Sequence, residues 1–224
     1  MTPLVRDARY AAGMPRPPAF VELDPSSVTV VPANEAFPDD LRAIFGSRGY
    51  PAYCQCQKWK FASWADRKAT PIAERVRRLE EQTQCGWPSA ETTSGLVAYL
   101  DGEPVAWCNV EPRTAFVPRL LNSPVPWAGR DEDPADPTVW AITCFVVRVG
   151  YRRRGLTRIL TAAAVEHARA RGARSLEAYA ILTEPGVDIT WGEVYVGARS
   201  VFAAAGFVEV SHPTTRRVVM RIDL

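Results

Sequence analysis

Residues 138–171, TVWAITCFVVRVGYRRRGLTRILTAAAVEHARAR, constrain the fold more than any other stretch. The apolar run from Val139 to Val147 is rich in β-branched and aromatic residues, the pattern of a strand buried on both faces. A basic turn, Arg148 to Arg154, follows it. Gly155 then opens a helix whose apolar stripe is Leu156, Ile159, Leu160, Ala163, Ala164 and His167. Glycine at such a junction lets backbone N–H groups approach a ligand closely. A helix N-terminus favours negative charge by roughly 0.3–1 kcal/mol in exposed settings. Arginines on the turn add charge-assisted hydrogen bonds of about 1.5–3 kcal/mol each. Strand, basic turn, glycine and helix together make a phosphate cradle; a basic turn that only faces solvent is the competing structural reading.

Three phosphate-binding patterns compete for this cradle. No G-x-G-x-x-G occurs in the chain, which counts against a dinucleotide fold. Gly150 to Thr157 nearly matches the nucleotide P-loop, but Leu156 stands where lysine must reach the β- and γ-phosphates. The third pattern is R-x-x-G-x-[GA], met as Arg152-Arg153-Arg154-Gly155-Leu156-Thr157. Here the chain resembles the GNAT superfamily of acetyl-coenzyme A-dependent N-acetyltransferases, in which this turn wraps the pyrophosphate of coenzyme A. Thr157 departs from the usual small final residue. The segment from Tyr195 to Phe207, a short helix ending in Gly206-Phe207, is similar to a second GNAT signature. The resemblance covers residues 95–223 well and the N-terminal third loosely. It implies an α/β (α+β) domain: a mixed, mostly antiparallel central sheet flanked by helices.

The remaining sequence is compatible with that frame. At 224 residues the chain suits one domain with decorations. Lys and Arg number 27 against 25 Asp and Glu, so no global field recruits nucleic acid or membrane. No stretch approaches the ~20 apolar residues of a membrane span, and the N-terminus lacks a signal-peptide apolar core. Five cysteines, an odd count without regular spacing, point to a reducing cytoplasm.

Residues 1–27, with five prolines, read as an extended arm before a single domain at 28–224. A short strand is expected from Ser27 to Val31 and a helix from Asp39 to Phe45. Cys54-Gln55-Cys56 with Cys85 could supply thiolates for zinc, but the spacing fits no common zinc pattern. Buried packing with Trp59 is the favoured reading, and no metal is assigned. Some GNAT-like proteins carry a similar segment beside the acceptor site, which makes Trp59 and Trp64 candidate pocket walls. Pro71 to Gln84 reads as a helix with Ile72, Val76 and Leu79 inward and its charges, Arg75 included, wet. Leu96 to Leu100 and Val105 to Val110 flank Asp101-Gly102 as a hairpin. Insertions at 112–137 and 181–194 break the periodicity, and the first reads either as a flap bordering the acceptor pocket or as a passive surface insertion. Ser175 to Ala180 reads as a strand. Val208 to Val210 and Arg217 to Ile222 read as a closing hairpin.

The resemblance implies that the thioester arm pairs with the backbone of Phe145, Val146 and Val147, one of whose N–H groups polarises the carbonyl. Cofactor contacts are then expected at these three residues, at Arg152, Arg153, Arg154, Gly155, Leu156 and Thr157, and at Phe202. Phe202 stands where family members commonly place a tyrosine near the sulfur, so either solvent or another group protonates the thiolate; Tyr195 is the candidate stand-in acid, with a packed tyrosine as the competing reading. Glu177, on the next strand, is the candidate base, with a pKa raised by partial burial; an exposed sheet residue or a structural ion pair is the competing reading, and Glu111 is a second choice. Cys144 and His167 read as core residues. The expected activity is direct transfer of acetyl from acetyl-CoA, as acyl donor, to a primary amine of a small molecule or of a protein lysine or N-terminus. A non-catalytic acyl-CoA-binding sensor is the alternative, fed by Phe202. Neither nucleic acid nor membrane is an expected partner, and a homodimer stays open.

Overall fold

The computed structural model describes residues 22–116, 123–183 and 191–224. Most of the N-terminal arm lies outside these residues, as do parts of both insertions. Seven strands form one sheet: β1 (Val28–Pro32), β2 (Leu96–Leu100), β3 (Glu103–Pro112), β4 (Val139–Val147), β5 (Ser175–Ile181), β6 (Val208–Thr214) and β7 (Arg217–Asp223). Their order is β1-β2-β3-β4-β5-β7-β6, antiparallel throughout except for the β4–β5 pair. The Asp101-Gly102 turn closes the β2–β3 hairpin with positive φ at both residues, the geometry that matches strand twist.

The helices include α1 (Pro38–Phe45), α2 (Gly49–Cys54), α3 (Trp64–Ala69), α4 (Ile72–Thr83), α5 (Leu156–Ala170), α6 (Trp191–Val194) and α7 (Arg199–Ala204), and one further turn of helix, Pro124–Trp127, lies in the first insertion. Strand residues alternate between two faces, so each face carries its own core. On one, Leu156, Leu160 and Ala164 of α5 and Phe202 of α7 pack against Ile142 and Phe145. On the other, Leu41, Ile44 and Phe45 of α1 and Leu79 of α4 pack against Trp107, Cys144 and Val146. Arg75 departs from expectation. It is buried, stacks over the Tyr53 ring, and donates to the carbonyls of Tyr53 and Thr70 at 2.6 and 2.9 Å. A guanidinium thereby ties α2 and α3 to α4 where the heptad pattern shows only a wet charge.

The feature that positions a site lies in β4. Its register against β3 steps from Asn109↔Cys144 to Val110↔Ile142, leaving Thr143 as the extra residue of a bulge. Pairing with β5 ends at Ile142↔Ala178. A bulge bends its strand and raises local twist, so the second half of β4 parts from β5.

Candidate active site

The cradle forms at the β4–α5 junction. Gly155 has φ +86 and ψ −4, and caps α5 in the left-handed region, which side chains enter at roughly 1–2 kcal/mol. The first amides of a helix have no intrahelical partner; here Gly155, Leu156 and Thr157 line the groove, and Arg158 N–H donates to Gly155 O at 2.9 Å. Arg152 Nε donates to Val147 O at 3.0 Å and fastens the turn to the strand. Glu22 stands against Gly155: a Cβ there would meet its carboxylate at 3.1 Å. Glu22 Oε1 accepts from Arg158 Nη1 at 2.8 Å, and Leu23 N–H donates to Arg154 O at 3.1 Å. A carboxylate therefore already rests where a diphosphate is expected.

The β4 edge beyond the bulge behaves differently from expectation. Phe145 N–H donates to Tyr195 O at 2.6 Å, and Ile181 N–H donates to Gly197 O at 3.0 Å. Residues 195–198 thus span the opening between β4 and β5. Gly197 permits this: φ is +85, and a Cβ would meet the Phe202 ring at 2.7 Å. Peptide groups alternate direction along an antiparallel strand. Those of Val146 turn to β3, where its register partner is Trp107, while those of Phe145 and Val147 turn to the opening. Of the three residues expected to pair with a thioester arm, Val146 offers no peptide edge there and the Phe145 N–H is engaged. Phe145 C=O and Val147 N–H are left facing the gap.

One groove of about 680 Å³ joins cradle and opening. Its lining includes Phe145, Val146, Val147, Arg152, Arg153, Gly155, Leu156, Thr157 and Tyr195, all expected from sequence. It also includes Cys54 and Cys56, of the segment that the resemblance sets beside the acceptor site, and Arg48, Tyr50 and Cys144, which sequence reasoning does not place in a site. The Gly46–Gly49 loop and the odd Cys-x-Cys segment were the available signals. Arg154 is not among the lining residues. Nor is Phe202, which is 0% exposed with its ring between Phe145 and Phe207 at 6.1 and 5.4 Å. It supports the strand from behind rather than touching a cofactor. Tyr195 lies near Tyr50, with ring centroids 6.2 Å apart, and under Lys58 Nζ at 4.3 Å. Burial pushes its phenol well up.

Glu177 does not reach the groove. Its carboxylate is 0% exposed and held by Arg113 at 3.4 Å, by Arg221 at 3.6 Å and by Arg130. Glu132 shares Arg130 and Arg221, at 2.8 and 2.9 Å. A strand carboxylate expected to act as a base is the anchor for the 112–137 insertion. Glu111 is likewise paired, with Lys60 at 2.6 Å. Trp59 packs on Tyr179 at 6.0 Å, and Trp64 is 59% exposed beside Arg67; neither lines the groove. Cys56 Sγ accepts from Trp107 Nε1 at 3.2 Å. His167 meets Trp140 edge-on at 5.8 Å, and burial brings its pKa down to about 4, leaving a neutral core imidazole.

The residues present fit acetyl-CoA. The Glu22 carboxylate acts as a stand-in for phosphate oxygens at a corner with a left-handed glycine. The groove continues from there past Val147 to Tyr50, Cys54 and Tyr195. Glu22→Gln is expected to tighten acetyl-CoA binding about two- to fivefold, since an exposed ion pair is weak yet must yield to the diphosphate; titration calorimetry checks this.

The Acetyltransferase (GNAT) family matches over residues 57–185, more than half of the chain. No curated protein sequence matches. A GCN5-related N-acetyltransferase from Kribbella flavida superposes with a TM-score of 0.50 at 18% identity, covering 90% of this chain and 100% of its own. A ribosomal-protein-alanine N-acetyltransferase from Brucella melitensis gives 0.48 at 18%, covering 88% and 99%. The protein yncA from Salmonella typhimurium, solved with acetyl-CoA, gives 0.47 at 17%, covering 88% and 94%. The first of these shares the fold of the sheet and helices described above. With a left-handed glycine cradle, a parting of β4 from β5 and a groove joining them, the chain belongs to the Acetyltransferase (GNAT) family and is an acetyltransferase that takes acetyl-CoA as its donor.

Proposed function

We propose that the protein moves acetyl directly from acetyl-CoA to a primary amine, and that the residues of the groove between cradle and opening carry the reaction. The supporting observation is continuity: the cradle turn, the end of β4 beyond the bulge and Tyr195 line one cavity. Acetyl-CoA brings an activated acetyl thioester. The amides after Gly155, with Arg152 and Arg153, hold the diphosphate by charge-assisted hydrogen bonds. Phe145 C=O and Val147 N–H receive the arm, and Val147 N–H is the donor facing the gap that can polarise a carbonyl. The Tyr195 hydroxyl keeps its proton through neutral pH, because burial raises its pKa, and so donates a hydrogen bond toward the departing sulfur. Its own backbone carbonyl, fixed on Phe145 N–H, locates the ring.

Glu177 is not carried forward as the base, because its carboxylate is held by arginines. Calorimetry with acetyl-CoA, followed by thiol release over a panel of amines, tests the reading. Binding together with amine-dependent release is expected. Binding without release above hydrolysis across the panel would instead mark an acyl-CoA-binding module.

A further inference from the structure

We propose that the acceptor is a weakly basic amine that enters the groove uncharged, such as the α-amino group of a peptide or amino acid derivative, and not an alkylammonium. This rests on the acetyl-transfer reading above. The inner end of the groove is lined by Phe45, Tyr50, Cys54, Cys56, Cys144 and Tyr195. Burial raises the Cys54 thiol and the Tyr50 phenol; a hydrogen bond with Cys56, then burial, raises the Cys144 thiol. These groups stay neutral at neutral pH, and a neutral thiol or phenol is a poor proton acceptor. The charges of the lining, Arg48, Arg148, Arg152 and Arg153, are all positive; those of the cradle turn meet the donor's phosphates.

Among the described residues, Glu111 and Glu177 are strand carboxylates on one face of the sheet, and both are paired. Glu111, Ala141 and Glu177 lie in one row across β3, β4 and β5, with Glu111 paired to Lys60 and Glu177 to its arginines. An ammonium entering the groove meets thiols, apolar atoms and the Tyr50 and Tyr195 rings. The charges beside those rings are cations: Lys58 Nζ lies 4.3 Å over Tyr195 and Arg67 Nη2 donates to Tyr50 Oη at 3.2 Å, so the ammonium form is disfavoured. It must shed its proton to solvent before attack. At pH 7 an α-amine of pKa ~7.8 is neutral in about one molecule in seven, and a lysine side chain of pKa ~10.4 in about one in 2,500. The neutral fractions differ roughly three-hundredfold, part of which the greater nucleophilicity of the lysine amine offsets.

The test uses the full chain with acetyl-CoA and reads thiol release from pH 6 to 10. Its probes are a lysine-free tripeptide with a free N-terminus, an amino acid amide, N-acetyl-lysine amide and spermidine. At pH 7 the α-amine probes are expected to exceed N-acetyl-lysine amide and spermidine in kcat/KM by about tenfold or more. The gap should narrow as pH rises, with kcat/KM levelling at each probe's own pKa. The tripeptide and the amino acid amide separate a protein-like acceptor from a small one. A preference for lysine or spermidine at pH 7 overturns the inference and leaves acetyl transfer standing. So does a bell-shaped profile whose rising limb sits at one pH for every probe, the mark of a base on the protein. Loss of acetyl-CoA binding itself, or no release with any probe, overturns the underlying reading and the inference with it.

Discussion

Replacing Gly155 with tryptophan is expected to raise the acetyl-CoA dissociation constant by about two orders of magnitude or more, with the far-UV circular dichroism of the folded protein unchanged. The left-handed conformation at Gly155 is what turns the first amides of α5 outward. An indole there fills the corner now shared with the Glu22 carboxylate. Losing two charge-assisted hydrogen bonds of about 1.5–3 kcal/mol each corresponds to a hundredfold loss or more. Strain alone does not mimic this. Gly172, at the far end of the same helix, also has positive φ, with open space around it. Gly172→Ala should therefore lower stability by about 1–2 kcal/mol and leave affinity untouched. Calorimetry on both variants separates binding from strain; unchanged affinity in Gly155→Trp removes the cradle assignment.

The cradle was legible because its signals are local. A nine-residue apolar strand, a basic turn and a glycine before an amphipathic helix sit within one short stretch, and each is read from near neighbours. The elements that the chain brings from a distance were not legible. Tyr195 O reaches Phe145 N–H through backbone atoms, and no side-chain identity announces it. The nearest hint is Gly197, a glycine ahead of a helix where two aromatic rings close in. Phe202 was read as a site residue from its place in a motif, yet its side chain serves the core between two other phenylalanines. Glu22 was hidden for the opposite reason: an arm without periodicity gives no pattern to read. In each case the sequence specifies which face a residue takes but not which distant partner waits there.

Glu177→Gln is expected to lower stability by about 3–5 kcal/mol, a Tm loss of roughly 6–20 °C for a chain of this size, while the folded protein keeps its turnover within a fewfold. Amide for carboxylate preserves shape but removes the charge that Arg113, Arg130 and Arg221 surround. Glu132 then remains as the carboxylate recorded with all three guanidiniums, of which Arg113 and Arg130 have side chains only 1% and 4% exposed. Unpaired buried charge, rather than a lost attraction, carries the penalty. It follows that removing charge from both sides should recover part of the loss. Glu177→Met combined with Arg130→Met is expected to be more stable than the sum of the single variants by about 0.5–3 kcal/mol, the coupling of contacting residues. Urea unfolding supplies the four values of the cycle. Additive losses would show that the arginine cluster does not hold the 112–137 insertion through Glu177. A collapse of turnover in the folded Gln variant, with stability intact, would return this carboxylate to the role of base and reopen the groove to charged amines.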